Sequence, residues 1–188
     1  REDADLLGGK GANLAEMTRL GLPVPPGFTI TTEACREFLR RGEVPDDLRV
    51  QVTMALRRLE VELGRRLGDV TDPLLVSVRS GARFSMPGMM ETVLNVGLND
   101  YSVEGLTAAT GDARFAWDSY RRLISMFGRT VLHVEPGTFE AAFDAAKVAQ
   151  GVTLDADLST ESLQELVDTY KAIVLEHSGR PFPQDPRE

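Results

Sequence analysis

Cysteine is nearly absent from the 188 residues: Cys35 stands alone, so no internal disulfide can form and no thiolate cluster can hold a metal, as expected in a reducing compartment. Histidine is almost as scarce. With only His133 and His177, and no metal-spaced His/Cys set, no Ser/His/Asp grouping and no paired catalytic carboxylates can be assembled. Positive charge is in deficit, 21 Lys+Arg against 29 Asp+Glu for a net −8, so broad attraction to nucleic acid or anionic lipid is disfavoured. Any anion that binds must meet a local cationic site. No apolar run approaches the roughly 20 residues of a membrane helix, and Arg1-Glu2-Asp3-Ala4-Asp5 lacks the apolar stretch of a signal peptide. The expectation is a soluble, untargeted, cytoplasmic chain that contacts neither nucleic acid nor membrane.

What is present suits a folded core: 42% hydrophobic and 27% charged residues fit one ordinary domain or a tight pair of subdomains. Leu14, Met17 and Leu20 predict a short helix ended by Gly21, and Leu22-Pro23-Val24-Pro25-Pro26-Gly27 then forbids helix. A strand is expected at Phe28-Thr29-Ile30, followed by a helix from about Glu33 to Arg41, capped by Thr31 or Thr32 and closed by Gly42. Leu48, Val52, Leu56, Leu59, Leu63 and Leu67 mark a longer helix whose apolar face reads as core. Residues 73–79 and 92–98 read as strands, the first buried and ending in a charge. After Gly111 the texture is helical. Trp117, Tyr120, Ile124 and Phe127 form one stripe, and Phe139, Ala142, Phe143 and Ala146 the next, between Pro136 and Gly151. Leu163, Leu166, Val167, Tyr170 and Val174 form a third behind a Ser159 or Thr160 cap. The composition shift suggests a mixed α/β part over 1–105, a helical part over 106–178 and a proline-rich linker over 179–188.

Three segments can carry chemistry. Gly8-Gly9-Lys10-Gly11-Ala12-Asn13 is a glycine-rich turn feeding a helix, where backbone N–H groups and the Lys10 ammonium can meet phosphate oxygens. It matches neither the phosphate-loop nor the dinucleotide pattern, and its plain alternative is a flexible helix start with a solvated lysine. Ser77-Val78-Arg79-Ser80-Gly81-Ala82 puts a guanidinium at a strand end, where α/β proteins place ligands; the alternative is an ion pair with one of the many carboxylates. Arg83 reads as a surface charge. The loop Ser85-Met86-Pro87-Gly88-Met89-Met90-Glu91-Thr92 is either packing around a Pro-Gly turn or a lid hinged at Gly88. His133 and His177 read as structural.

Together these blocks, with Gly21-Leu22-Pro23-Val24-Pro25-Pro26-Gly27-Phe28, Phe115-Ala116-Trp117-Asp118-Ser119-Tyr120-Arg121-Arg122 and Phe182-Pro183-Gln184-Asp185-Pro186, resemble the N-terminal region of the pyruvate, phosphate dikinases. Phosphoenolpyruvate synthases share the blocks at Gly8 and at Ser77 more loosely, while the Met86-Pro87-Gly88-Met89-Met90 loop favours the dikinases. The resemblance implies an α+β or α/β fold: the first lobe of an ATP-grasp nucleotide-binding domain, followed by a mainly helical subdomain. It also implies MgATP as the bound nucleotide, Lys10 and Arg79 on its phosphates, and a catalytic role for Arg79. The phosphoryl acceptor implied is a histidine on another domain of a homodimeric enzyme, the magnesium ligands lie beyond Glu188, and the chain alone is expected to be inactive. The alternatives are a synthase-like phosphotransferase segment and an inactive interaction module.

Overall fold

The computed structural model describes residues 4–80 and 92–188. It is an α+β chain of helices α1 (Ala4–Arg19), α2 (Thr32–Arg41) and α3 (Asp46–Leu63), strands β1 (Arg66–Leu67), β2 (Pro73–Leu74), β3 (Val76–Arg79) and β4 (Thr92–Val96), and helices α4 (Ser102–Thr110), α5 (Ala113–Thr130), α6 (Pro136–Gln150) and α7 (Thr160–Ser178). Strands β1 and β2 pair in parallel, Arg66 opposite Pro73 and Leu67 opposite Leu74, while β3 and β4 form a second two-stranded sheet. The chain divides into two compact units, residues 1–64 with 79–91 and residues 65–78 with 92–188.

The second unit holds the core. Tyr120 and Ile124 of α5, Leu166, Val167, Tyr170 and Val174 of α7, and Phe139 of α6 are buried together with Val93, Leu98 and Val103. These are the helical stripes that the spacing predicted, and each such side chain is worth about 1.5–3 kcal/mol when fully buried. Capping confirms two boundaries: Asp112 accepts from the Phe115 N–H at 2.9 Å, and the Ser159 hydroxyl accepts from the Ser162 N–H at 3.2 Å. The texture change near residue 105 is not where the units part. Asn99 Oδ1 accepts from the Tyr101 and Ser102 N–H groups at 2.9 and 2.7 Å, and the Ser102 hydroxyl donates to the Gly97 carbonyl at 2.9 Å. This buried turn starts α4, a helix that the pattern did not reveal, and ties β4 to the bundle.

Residues 179–188, expected as a linker, pack onto the second unit instead. Phe182 is buried, edge-on to Tyr120 and Phe127 with ring centroids 6.1 and 5.5 Å apart. Gln184 Oε1 accepts from the Asp100 N–H at 2.9 Å, and the Asn99 side-chain amide donates to the Gln184 carbonyl at 2.9 Å. Prolines rule out a helix there, but not docking by one aromatic ring.

The first unit differs more from expectation. Helix α2 and its Gly42 end are as predicted, although Thr31 makes no side-chain cap bond. Phe28-Thr29-Ile30 joins no ladder; the segment lies against α1 instead. Helix α3 stops at Gly64, so Leu67 belongs to β1, where it is buried. Of the apolar face of α3 only Leu59 is buried; Leu48, Val52 and Leu56 are half-buried and Leu63 is exposed. Helical spacing identifies an apolar face, but burial needs an opposing element, and Leu48 and Val52 line an open groove instead. The outer half of β3 is likewise exposed, with Val78 at 55%.

Candidate functional site

The glycine-rich turn does not run straight into a helix. Gly8 is buried at φ 70°, ψ 167°, a conformation closed to residues with a Cβ, and it breaks α1 so that the regular helix resumes at Gly9. Lys10 therefore sits in the first turn of that helix, where the positive end of the dipole disfavours a cation. A cation placed against a local rule is a mark of function when an anion completes the site.

The Lys10 ammonium donates to the carbonyl of Ser80 at 3.2 Å. Ser80 directly follows Arg79, the exposed last residue of β3, so the two predicted cations come from residues 69 positions apart to adjoining places in the same unit. Among the described residues neither has a carboxylate within ion-pair distance, in contrast to Arg19 with Glu16 and Arg40 and Arg41 with Glu37. The Ser80 carbonyl is a neutral acceptor. It fixes Lys10 in place without cancelling its charge, and an ammonium and an exposed guanidinium fork are what an oligophosphate needs.

Other predicted features fall elsewhere. Arg83 and Ser85 to Glu91, the packing-or-lid loop, lie outside the described residues. His133 is exposed in the turn after α5 at φ 58°, and His177 Nε2 lies 3.0 Å from the Leu132 carbonyl in the last turn of α7. Neither is near the Lys10 turn in sequence or in the same unit. Among the described residues no group of three or more His, Cys, Asp or Glu side chains could hold a metal ion, and no helix is long and apolar enough to cross a membrane.

A groove of about 510 Å³ lies in the first unit between the 28–31 segment, α2 and α3, with Phe28, Ile30, Leu48, Val52, Glu33, Glu37 and Asp47 among its lining. Glu37 pairs with Arg40 and Arg41, and the Arg40 guanidinium holds that carboxyl down at about 2. Neither Lys10 nor Arg79 lines it. Sequence reasoning offered Lys10 and Arg79 as candidates and missed the carbonyl that the Lys10 ammonium meets. The Ser80 contact is made by a backbone carbonyl, which leaves no mark in residue type.

The family described as pyruvate phosphate dikinase, AMP/ATP-binding domain, matches residues 4–52 and 39–173. The chain is 55% identical over 186 residues to a pyruvate, phosphate dikinase of Rhizobium meliloti (strain 1021), covering 98% of this chain and 21% of the relative. Identity to the Clostridium symbiosum protein of that name is 52% over 186 residues, covering 98% and 21%, and to the Giardia intestinalis protein 50% over 183 residues, covering 97% and 21%. The chain thus spans about a fifth of the length of these curated relatives.

Proposed function

Because the chain belongs to the pyruvate phosphate dikinase AMP/ATP-binding domain family, we propose that it is the first lobe and helical subdomain of an ATP-grasp nucleotide-binding domain in a larger dikinase. Lys10 and Arg79 hold the triphosphate of ATP. The β-phosphoryl group, with the γ-phosphate, passes to a histidine on another domain of the same enzyme. The net reaction converts ATP, phosphate and pyruvate to AMP, pyrophosphate and phosphoenolpyruvate. The transfer draws on parts of the enzyme that this fifth of the length does not supply, so the isolated chain does not complete the reaction.

The observation that carries this reading is the Lys10–Ser80 bond, which anchors one cation beside the strand end that presents the other. Arg79 can clamp two oxygens of one phosphate with parallel N–H bonds, while Lys10 acts as a point charge that uses one of its three donors among the described residues. Phosphoryl transfer runs through a transition state with charge spread over the phosphoryl oxygens, and fixed cations lower its energy without reorganising as the reaction proceeds. Magnesium bound with ATP would neutralise further charge. Among the described residues no group of three or more His, Cys, Asp or Glu side chains could hold it.

Lys10→Ala and Arg79→Ala in the full polypeptide carrying this chain test the reading. Each is expected to lower pyrophosphate release from ATP, phosphate and pyruvate by about 10²–10³, or about 3–4 kcal/mol, as removal of one preorganised charge-stabilising donor does, with the far-UV circular dichroism unchanged. Near-wild-type turnover in either variant refutes the assignment.

A further inference from the structure

We infer that the segment Thr29–Thr32 is a brace that positions the Lys10 ammonium, with Gly11 and Thr29 as the positioning residues at its closest approach. The inference rests on the reading of Lys10 as a phosphate contact. A lysine side chain has four rotatable bonds and loses rotamer freedom when ordered, so a site gains by holding its backbone and its tip in advance. The break at Gly8 deprives Lys10 of a continuous helix in front of it, and the hold must come from elsewhere.

The brace supplies that hold on both sides of the break. Before it, the Thr32 hydroxyl donates to the Asp5 carbonyl at 2.6 Å. After it, Gly11 faces Thr29 so closely that a Cβ at position 11 would lie 3.1 Å from Thr29 Cγ2, 3.4 Å from its Oγ1 and 3.2 Å from Leu7 Cβ. Contacts this tight leave no room for a methyl group unless Thr29 or the helix gives way by a few tenths of an ångström. Lys10, adjacent to Gly11, spans from this braced turn to the Ser80 carbonyl. Two threonines three residues apart thus pin a stretch that a single glycine makes thin enough to reach.

The test uses the full polypeptide carrying this chain. Trace acylation with acetic anhydride, read by peptide mass mapping, reports the exposure of the Lys10 amine against Lys147 and Lys171, the other lysines of the chain. Steady-state assays report kcat/KM for ATP. Gly11→Ala is expected to raise acylation of Lys10 alone and to lower kcat/KM about tenfold, since displacements of up to an ångström at a positioned group cost up to about 10² in rate. Adding Thr29→Ser, which removes only the nearest methyl, is expected to restore both readings. Thr32→Val, similar in shape but without the donor, moves both in the same direction as Gly11→Ala and serves if that variant does not fold. Wild-type acylation of Lys10 in Gly11→Ala or Thr32→Val, or failure of Thr29→Ser to rescue, overturns the brace. If Lys10→Ala leaves phosphoryl transfer intact while acylation responds as described, the brace stands and the phosphate reading alone falls.

Discussion

Replacing Phe182 by alanine is expected to destabilise the second unit by about 3 kcal/mol, although the residue lies in a proline-rich tail. Phe→Ala substitutions in cores cost about 3–5 kcal/mol, from lost transfer energy and the cavity left behind. The Phe182 ring is buried and edge-on to Tyr120 and Phe127, so the loss includes two aromatic pairs of about 0.5–1.5 kcal/mol each. A short tail can collapse into part of the vacated space, which places the value at the low end of the range. Trp117, the only tryptophan, lies in α5 with its ring centroid 6.2 Å from that of Tyr120, so intrinsic fluorescence reports this unit alone. With a urea dependence near 2 kcal/mol per molar for a small domain, the unfolding midpoint should fall by about 1.5 M at unchanged slope. A midpoint within about 0.3 M of wild type would show that the tail does not contribute to the fold, and the packing argument would be wrong.

Gly128→Ala adds a methyl carbon 2.5 Å from Phe139 Cζ, on a ring fixed edge-on by Tyr170 at 4.8 Å. The overlap should outweigh the helix-propensity gain of about 1 kcal/mol and give a net loss of about 1–3 kcal/mol in the same fluorescence assay; a stabilised variant would show that the α5–α6 contact is loose. The Tyr120 phenol is pushed above its ordinary value of 10, first by burial and then by the Asp100 carboxylate that accepts its proton at 2.8 Å, and burial raises Tyr170 too. A raised folded value means stability that is complete below pH 10 and lost as the pH rises beyond it. The urea midpoint should therefore fall above pH 10, and the native absorbance titration at 295 nm should stay short of the amplitude for all three tyrosines until unfolding. A full native amplitude would contradict this.

Periodicity sufficed for the three long helices of the second unit because they bury their own stripes against one another: Tyr120, Ile124, Phe139, Val167 and Tyr170 are core by spacing and core in space. Lys10 and Arg79 stood out as candidates by residue type and local pattern, a cation after glycines and a cation at a strand end, and the pattern alone left a solvated lysine and an ion-paired arginine open. The same reasoning failed on the face of α3, where helical spacing says which side is apolar and nothing about what opposes it. It failed again on Phe182, because proline content excludes regular structure but not the docking of a single ring.

Sequence by itself determined the α+β character, the three late helices, the absence of a disulfide and the two cations on which the nucleotide reading rests. These follow from local physics: residue volume, charge and backbone preference act within a few neighbours. Tertiary structure decided that the turn at Asn99 binds β4 to the bundle, that the tail packs, that the Lys10 ammonium closes on the Ser80 carbonyl and that Gly11 meets Thr29. Each joins chain segments through a carbonyl, an amide or a missing methyl, groups that every sequence contains and that become specific only when folding brings them within about 3 Å, the range of a hydrogen bond.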